Sequence, residues 1–486
     1  MKSIKTNIES MLVIFALLVV AFVISLLSPV NVFLREGMNY TDQSVFQYIA
    51  RIIEHGGVPY RDVFDHKGPL IYFINLLGIK INYEYGIWWV EFATLFISLC
   101  GAYMISRRFL NRPLSLIVAI LSFASLVGSF AYGNLTELYA LPFQIFSLYF
   151  FVEYHQLQTT SNFKVFLCGM FFSAVILLKL NLIAVWVVFL ICIFVSMIRK
   201  KKYRFLLSCI LYFCIGMLLL ILPFVIYFWI NGAINDFIYD YLIFNTIYSF
   251  GNNTFISRMS CIWSFISVPI TFISLALLVL FCFVKSEHIN KKLNFIGLVY
   301  FIVNLLLVTL SGNVFIYYGI AIIPSTIIPL IEAFEAFSKG TDFHAKFKKT
   351  MCITTAVLLI ALHYSFVYVL FNRNIAENRR RLNNYLELNQ YIETYSKPDE
   401  PIICYGNDVL VYNFSHRFAA SKYAFLPYRP FDNLFLDEYL SELESSKPSV
   451  FIQLMEPDER IMMFLNKNHY RKIAKVDWFT VYANDK

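Results

Sequence analysis

Charged residues are scarce in this sequence. Asp, Glu, Lys and Arg make up 15% of its 486 residues, whereas a soluble domain carries roughly a quarter. Hydrophobic residues reach 59%, and the 50 Phe and 32 Tyr exceed what a single core could bury. These proportions exclude a soluble enzyme, a disordered regulator and a nucleic-acid binder with a basic face. They indicate a polytopic membrane protein.

We expect neither a disulfide framework nor a cleavable leader in this sequence. Eight of its nine cysteines lie in or beside apolar runs, and only Cys404 lies in a polar region, which predicts reduced, lipid-buried thiols. The first apolar run, from Met11 to about Leu34, has a basic start but no clear small-residue cleavage site. We expect this run to be retained as a signal-anchor helix.

Eleven apolar segments are candidates for spanning helices, which need about 20 residues. They are, approximately, 11–33, 86–106, 114–132, 137–153, 163–179, 181–198, 205–230, 262–284, 293–310, 314–336 and 351–371. Lys179 and Asn181 divide the stretch 163–198 and predict a turn there. With the N-terminus in the cytoplasm, the inner loops carry 18 basic residues and the outer loops before the tail carry 7. The net charge of +8 therefore follows from the positive-inside rule and requires no nucleic-acid partner.

The chain changes character after about residue 372, and the predicted orientation places this tail outside the cytoplasm. Residues 375–395 have the spacing of an amphipathic helix. Three strand-like runs follow, with turn signals between them: Pro401 to Tyr405, Ser449 to Leu454 and Ile473 to Tyr482. The predicted fold class is therefore an all-α polytopic membrane domain (1–372) followed by a small extracytoplasmic α/β domain (373–486).

The first outer loop, residues 35–69, is dense in acidic, basic and turn-forming residues. Residues 44–55 have the spacing of an amphipathic helix, which would lie along the membrane surface. Asp42 precedes this segment, and Asp65, His66 and Lys67 follow it. Such a composition favours a functional loop, the alternative being a solvated linker whose charges have no role.

Further polar residues fall on the same predicted side of the membrane. They are Asn134 and Glu137 in the second outer turn, Lys179 and Asn181 in the third, Asp236, Asp240, Asn245, Tyr248 and Arg258 in the fourth, and Tyr317 in the fifth. Taken singly, each could be a helix cap or the end of a snorkelling side chain. Ionisable groups at membrane depth are costly, so their convergence indicates a wet, charged cavity at the outer leaflet.

Acidic and basic groups together suit the transfer of a group from a phosphate to a hydroxyl. A carboxylate can act as general base on the acceptor hydroxyl, and Lys or Arg can neutralise the charge that grows on a departing phosphate. Because no nucleotide-sugar pool exists outside the cytoplasm, an activated sugar would have to arrive there on a lipid carrier.

One run carries a specific resemblance. The segment TDQSVFQYIARIIEHGGVPYRDVFDHKGPLIYFINLLG (41–78) resembles the first loop of bacterial GT-C glycosyltransferases of the family 39-like membrane type, which use polyprenyl-phosphate sugars as donors. Shorter runs resemble other parts of that family: GNLTELYALPF (133–143), LKLN (178–181) and the tail run CYGNDVLVYNFSHRFAASKYAF (404–425). Many relatives carry a His-Tyr pair in a late span, where this chain has Tyr317 and Tyr318, so no histidine role carries over.

The resemblance implies roles for individual residues. Asp42 would be the catalytic base, and Glu137, with Asp65 as its substitute, would be the second acidic residue. Beyond these two acids, the charged and polar residues of the outer loops predict that Lys67, Lys179, Arg258 and His66 bind the donor phosphate and that Asn134, Asn181, Asn245, Tyr248 and Tyr317 line the acceptor site or pocket. Metal dependence stays open, since some relatives hold a divalent cation (Mg²⁺ or Mn²⁺) near their acids, here Asp42 and Glu137, and others need none.

The sequence therefore predicts an inverting glycosyltransferase of the bacterial cytoplasmic membrane. It would move one sugar from an undecaprenyl-phosphate carrier to an outward-facing glycan or lipid acceptor such as a surface polysaccharide, teichoic acid or glycolipid. Two alternatives belong to other classes. A polysaccharide polymerase or ligase usually relies on a large central outer loop, and a lipid-linked sugar flippase or transporter usually shows broken helices at mid-depth.

Overall fold

The protein is built of apolar helices and a mixed α/β tail, and we describe it from a computed structural model. The structure describes residues 2–28, 30, 41–124, 129–130, 133–250, 256, 259–260, 262–263, 291–309, 315–339, 379–426 and 434–484. The chain divides into two compact units. The first unit comprises Met1–Ser28, Trp88–Val225 and Ser249–Asn372, and the second comprises Pro29–Ile87, Ile226–Tyr248 and Arg373–Lys486.

Most predicted spans coincide with helices. In chain order through residue 339 the helices are Lys2–Ser25, Thr41–Glu54, Leu70–Ile81, Gly86–Ser106, Arg112–Ala124, Thr136–Leu157, Asn162–Ile176, Ala184–Arg199, Tyr203–Ile230, Ile234–Phe237, Phe244–Phe250, Lys291–Val308 and Tyr318–Lys339. Three helical segments are long and apolar enough to cross a membrane: Ile8–Ser25, Gly86–Ser106 and Tyr203–Ile230. The predicted spans 262–284 and 351–371 lie outside the described residues, apart from 262–263, so the count of eleven stays a prediction.

The predicted turn at Lys179 and Asn181 is confirmed. Helix Asn162–Ile176 ends before it, a short 3₁₀ segment spans Leu180–Leu182, and helix Ala184–Arg199 follows. Because this break interrupts the apolar run, it brings polar side chains to the end of two short helices instead of burying them in one long helix.

Small residues allow two helices of the first unit to approach closely. A Cβ atom added to Gly169 would lie 2.1 Å from the Phe213 carbonyl oxygen, and one added to Gly216 would lie 2.0 Å from the Phe166 carbonyl oxygen. Both distances are far below van der Waals contact. Helices Asn162–Ile176 and Tyr203–Ile230 therefore cross backbone to backbone, as membrane helices with small residues at their interface do.

The tail forms a four-stranded mixed sheet flanked by helices. Its strands are β1 (Ile403–Tyr405), β2 (Val450–Gln453), β3 (Tyr470–Val476) and β4 (Phe479–Asn484), in the order β1-β2-β4-β3. Strands β1 and β2 are parallel, and β4 is antiparallel to both of its neighbours. Helical segments lie at 379–395, Leu410–Ser415, Leu436–Ser446 and Glu459–Lys467.

The sequence prediction of one strand from Ile473 to Tyr482 is wrong. Strands β3 and β4 form a hairpin there, and Asp477 at the turn has a φ of +50°. Aspartate tolerates this left-handed conformation better than most residues do. The residues on both sides of the turn favour strands, and Asp477 and Trp478 between the strands are not a common turn pair. The turn could therefore not be recognised from the sequence.

The helix of the first outer loop, Thr41–Glu54, is present, but its apolar face is covered by protein. Tyr48 is 2% exposed and Ile49 is fully buried. The helix packs on helices Leu70–Ile81 and Leu410–Ser415 of the same unit. The prediction that this face rests on the membrane is therefore corrected: the tail and the following helix supply the apolar surface that lipid was expected to supply.

Polar contacts fix the same helix to the tail. The Tyr48 hydroxyl accepts a hydrogen bond from the Ala419 backbone N–H at 2.8 Å, and Arg51 donates to the Tyr412 carbonyl oxygen at 2.8 Å. Asn413 donates from Nδ2 to the Ser44 carbonyl oxygen at 2.8 Å. Hydrogen bonds between two segments so distant in sequence give the loop helix one defined position on the tail.

Phe64, at the centre of the loop motif, inserts into the core of the second unit. Its fully buried ring packs against Phe435, Phe244 and Tyr423, with ring centroids 4.9, 5.5 and 5.6 Å away. Its backbone N–H donates to the Lys422 carbonyl oxygen at 2.9 Å. The loop, the segment that contains Phe244 and the tail thus share one aromatic core.

Phe64→Ala should therefore lower the free energy of unfolding of the second unit by about 3–5 kcal/mol, the usual cost of removing a buried Phe ring. Limited proteolysis of the purified protein should cut the loop and the tail faster than in the wild type. Phe295→Ala, at a side chain that is 67% exposed, is the matched control and should leave the cleavage pattern unchanged. Equal cleavage of Phe64→Ala and wild type would contradict the role of this ring.

Candidate active site

A tight turn begins the charged part of the first outer loop. Asp62 Oδ2 accepts a hydrogen bond from the Val58 backbone N–H at 2.7 Å, and the Arg61 guanidinium pairs with the same carboxylate at 2.7 Å. The hydrogen bond from Arg61 lowers the pKa of the Asp62 carboxyl group. Tyr60 lies inside the turn with a φ of +69°, and its hydroxyl donates to the Lys67 carbonyl oxygen at 2.6 Å. The turn therefore holds the backbone of the residues that follow.

Asp65 is buried, and both of its carboxylate oxygens accept hydrogen bonds. Its Oδ1 accepts from the His66 backbone N–H at 2.7 Å, and its Oδ2 accepts from the Tyr72 hydroxyl at 2.8 Å. Burial raises the pKa of Asp65. The charge of Lys67 and the hydrogen bond from Tyr72 oppose that shift, and the charge of Asp42 adds to it. A carboxyl group held in this way orders the loop around it.

His66 and Lys67 form a short polar chain next to Asp65. The Lys67 Nζ lies 2.8 Å from His66 Nε2, and Asn245 Nδ2 donates to the His66 carbonyl oxygen at 2.5 Å. Asn245 also donates to the Tyr241 carbonyl oxygen at 2.7 Å. Three of the predicted phosphate and pocket residues, His66, Lys67 and Asn245, are thus brought together in the second unit.

Asp42 occupies a different kind of position. It lies in the first turn of helix Thr41–Glu54 and is only partly buried. The positive end of the helix dipole stabilises a carboxylate there. Asp42 is close enough to Asp65 for its charge to act on that residue. A carboxylate that reaches solvent and sits beside a buried polar group can accept a proton from an incoming hydroxyl.

Two acids that the sequence analysis placed on the outer side form a cluster with a lysine that was not predicted. Lys422 Nζ lies 3.5 Å from Asp236 Oδ1 and 3.6 Å from Asp240 Oδ2. Asp240 is 2% exposed and lies in a π-helical segment, Ile238–Ile243. Burial raises the pKa of Asp240 to about 7, with Lys422 opposing and Asp236 adding to the shift. π-helical turns occur frequently at functional sites.

The sequence signal for this cluster was incomplete. Asp236 and Asp240 stand out as acids in an outer loop, but their partner Lys422 lies some 180 residues further on, in the tail run that resembles the outer domain of the family. Nothing in local spacing connects them. The hydrogen bond from the Phe64 N–H to the Lys422 carbonyl oxygen and the packing of Phe64 against Tyr423 hold Lys422 in this part of the second unit.

The first unit holds the second predicted acidic residue. Glu137 is 1% exposed, its Oε1 accepts from Lys179 Nζ at 2.6 Å, and its Oε2 accepts from the Thr136 hydroxyl at 2.9 Å. The Lys179 ammonium also lies 4.6 Å from the ring centroid of Tyr318. The sequence predicted both members of this ion pair as site residues, and the structure places them in direct contact.

The predicted pocket residues of the first unit make structural contacts. Asn134 has a φ of +42°, accepts from the Tyr139 hydroxyl at 2.9 Å and donates its backbone N–H to Glu91 at 3.1 Å. Asn181 Nδ2 donates to the Leu307 carbonyl oxygen at 3.2 Å. The Tyr317 ring stacks on Phe315 at 5.1 Å. Arg258 and the side chain of Tyr248 lie outside the described residues.

Among the residues that the structure describes, no three His, Cys, Asp or Glu side chains lie together in a way that could hold a metal ion. Asp42 and Glu137, the ligands suggested by the resemblance, belong to different units. The divalent cation therefore stays a prediction.

The raised pKa of Asp240 predicts a pH dependence of stability. A group whose pKa rises on folding contributes stability that is complete below its unfolded pKa of 3.8 and is lost as the pH rises through about 7. Between pH 5 and pH 8 the melting temperature of the wild type should therefore fall more than that of Asp240→Asn. Thermal unfolding of the detergent-solubilised protein tests this, with Asp399→Asn as an exposed control. Parallel pH profiles for Asp240→Asn and wild type would refute it.

Comparison with known proteins gives a fold and a family. Among solved structures, ArnT from Cupriavidus metallidurans bound to undecaprenyl phosphate has a TM-score of 0.66 and 13% sequence identity, with 98% of each chain covered. The apo structure of the same protein has a TM-score of 0.65 and 12% identity, with 99% of this chain and 98% of that chain covered. No curated protein matches the sequence.

The likeness to ArnT over the whole chain confirms the predicted GT-C fold, and with the apolar helices it makes the protein a multi-pass membrane protein. The assignment to family 39 stays a prediction. A family model described as "Putative competence-induced protein Ccs4 N-terminal domain" matches residues 2–375, which is most of the chain. The chain therefore belongs to the competence-induced protein Ccs4 family.

Proposed function

We propose that this protein is an inverting glycosyltransferase that moves a sugar from a polyprenyl-phosphate carrier to an acceptor outside the cytoplasm. The observation that carries the proposal is the placement of Asp42, a partly exposed carboxylate in the first turn of a helix, in one compact unit with Lys67 and His66. The GT-C fold supports it, as does the undecaprenyl phosphate bound by ArnT, the protein with the similar fold.

Asp42 is the proposed general base. Its carboxylate takes the proton of the acceptor hydroxyl while that oxygen attacks the anomeric carbon of the sugar. The bond from the anomeric carbon to the phosphate oxygen breaks, and polyprenyl phosphate leaves with the electron pair. Attack from the face opposite the phosphate inverts the anomeric configuration. Asp65 suits this role less well, because it is 3% exposed and both of its oxygens already accept hydrogen bonds.

Cations are needed where the phosphate leaves. In the second unit, Lys67 and His66 are the proposed phosphate-binding residues. Lys179, in the first unit, and Arg258 are separate candidates for the same role. A lysine held at a fixed place by protein contacts stabilises the leaving charge without having to reorganise. Lys179 has such contacts, with Glu137 at 2.6 Å and with the Tyr318 ring.

The proposal includes a location. The membrane is the bacterial cytoplasmic membrane, the N-terminus is cytoplasmic, residues 1–372 form the catalytic membrane domain and residues 373–486 lie outside. The distribution of loop lysines and arginines supports this orientation. The acceptor is a cell-surface polysaccharide, a teichoic acid or a glycolipid.

Asp42→Asn should lower donor consumption by at least about 100-fold, the usual contribution of a general base. The assay follows release of free polyprenyl phosphate from a panel of short-chain polyprenyl-phosphate sugars, with crude cell-envelope extract as acceptor. Glu54→Gln is the matched control, since Glu54 lies at the other end of the same helix and pairs with Lys80 at 2.7 Å. It should retain nearly full turnover.

Two outcomes would contradict this assignment. Equal turnover by Asp42→Asn and Glu54→Gln would show that Asp42 is not the general base. If the wild type consumes no donor but moves labelled lipid-linked sugar across a reconstituted bilayer, the protein is a transporter instead of a transferase.

The Glu137–Lys179 pair gives a test of phosphate binding. Lys179→Gln removes a cation and should weaken binding of short-chain polyprenyl phosphate by about 10-fold or more, as expected for a charged hydrogen bond. Glu137→Gln breaks the same ion pair but leaves the ammonium, so the binding should be equal or tighter. Isothermal titration in detergent measures both.

Lys164→Gln is the control for the loss of a lysine from a Lys–Glu pair, because Lys164 bridges to Glu153 in the same unit. If Glu137→Gln and Lys179→Gln weaken binding to the same extent, the pair acts only in folding.

A further inference from the structure

Two buried tyrosines of the second unit meet at one backbone carbonyl group. The Tyr60 hydroxyl lies 2.6 Å from the Lys67 carbonyl oxygen, and the Tyr72 hydroxyl lies 3.1 Å from the same oxygen. A carbonyl oxygen has two lone pairs and can accept from both hydroxyl groups. The peptide group that follows Lys67 is therefore held from two sides.

The hydroxyl group of Tyr60 is directed at Lys67 from a fixed place. Its ring is fully buried and packs against Phe228 and Phe237, with each pair of ring centroids 5.4 Å apart. A Phe ring would fill the same space, and a buried hydroxyl group is costly unless it forms a hydrogen bond. The contact with the Lys67 carbonyl oxygen is therefore what tyrosine adds at this position.

Tyr72 connects Lys67 to the helix that carries Asp42. It lies in the first turn of helix Leu70–Ile81, and its hydroxyl hydrogen is shared between the Lys67 carbonyl oxygen and Asp65 Oδ2, which is 2.8 Å away. Its ring packs against Phe46, with the ring centroids 6.3 Å apart. Phe46 lies four residues after Asp42, about one turn along the same face of helix Thr41–Glu54. One side chain thus contacts both the helix of the proposed base and the backbone of a proposed phosphate-binding lysine.

Neither tyrosine can contact a substrate, because both side chains are fully buried. Any effect on the reaction has to pass through the residues that they hold. Group transfer requires the base and the phosphate-binding group to face the same pair of reactants, and a misplacement of about 1 Å can lower the rate about 100-fold. Lysine carries its charge on a flexible four-carbon stem, so the backbone determines where that stem begins.

We propose that Tyr72 is a positioning residue that sets the place of Lys67 relative to Asp42, and that Tyr60 is the second support of the Lys67 carbonyl group. This rests on the proposed function, in which Asp42 is the base and Lys67 binds the donor phosphate. Without the Tyr72 hydroxyl, the Lys67 ammonium still reaches a phosphate through its flexible stem, but its position no longer matches that of Asp42. The transfer step should therefore suffer more than donor binding.

The test uses the full-length protein in detergent. Release of polyprenyl phosphate from a polyprenyl-phosphate sugar, with cell-envelope extract as acceptor, gives kcat, and isothermal titration of short-chain polyprenyl phosphate gives Kd. Tyr72→Phe should lower kcat about 10-fold or more and change Kd less than about twofold, because only the transition state requires the alignment. Tyr60→Phe should lower kcat less, since Tyr72 still holds the same carbonyl group.

The double variant Tyr60→Phe/Tyr72→Phe tests whether the two hydroxyl groups act on one acceptor. It should lower kcat by more than the product of the two single effects, because residues that share a partner are not independent.

Tyr439→Phe is the matched control. Tyr439 is 1% exposed and belongs to the same unit, and its hydroxyl has no hydrogen-bond partner among the residues that the structure describes. This variant should keep the kcat of the wild type. The melting temperature of each variant shows whether it is folded. If Tyr72→Phe does not fold, Phe46→Leu removes the ring contact at the other end of the connection and should lower kcat with Kd unchanged.

Equal kcat for Tyr439→Phe and the folded Tyr72→Phe or Phe46→Leu variant would overturn the proposal, even if the melting temperature falls, because the tyrosine would then act in folding alone. A loss of kcat matched by an equal loss of polyprenyl phosphate binding would also overturn it, since the effect would then be confined to the phosphate site. A wild type that releases no polyprenyl phosphate from any donor would refute the proposed function itself. That result is distinguishable from the others because it is seen without any variant.

Discussion

The second unit depends on the burial of one phenylalanine in a loop. The Phe64 ring packs among Phe244, Tyr423 and Phe435, and its backbone N–H donates a hydrogen bond to the Lys422 carbonyl oxygen. Aromatic rings bury large areas and prefer the tilted and edge-on geometries found here. Asp65, His66 and Lys67 follow Phe64 directly in the chain. Their positions are therefore set by a core to which the tail contributes most of the residues.

Buried acids explain why so much structure surrounds this loop. A carboxylate without compensation is costly inside a protein, and the chain meets that cost in different ways. Asp65 receives hydrogen bonds from His66 and Tyr72, whereas Asp240 faces Lys422. In both, burial still raises the pKa. Asp42 differs because it keeps contact with solvent, and that exposure is what a group needs if it is to meet a substrate.

The sequence predicted the local features of this architecture well. Apolar runs predicted the helices, the polar break at Lys179 and Asn181 predicted two short helices in place of one, and the acid and base residues of the first outer loop indicated a site. These features depend on the order of residues within about 20 positions. The GT-C fold itself was predicted from a resemblance in one run of the chain and is confirmed by the likeness to ArnT.

Long-range contacts could not be predicted in the same way. Amphipathic spacing shows that a helix buries one face, but it does not show what covers that face. Tyr48 illustrates the difference, because its hydroxyl accepts a hydrogen bond from the Ala419 N–H, far away in sequence. Lys422 beside Asp240 and the hairpin turn at Asp477 are similar cases. Each depends on a partner or a backbone angle that composition and spacing do not encode.

The ion pair in the first unit bears on how a phosphate could be bound. Lys179 lies between the Glu137 carboxylate and the face of the Tyr318 ring, and both favour the charged ammonium. A phosphate that arrives at Lys179 must share the ammonium with Glu137, so part of the attraction is offset by repulsion between two anions. In return, the lysine is already held in place, and no ordering of a flexible side chain is needed at the moment of transfer. Such a pair suits a leaving group that must be stabilised briefly and then released.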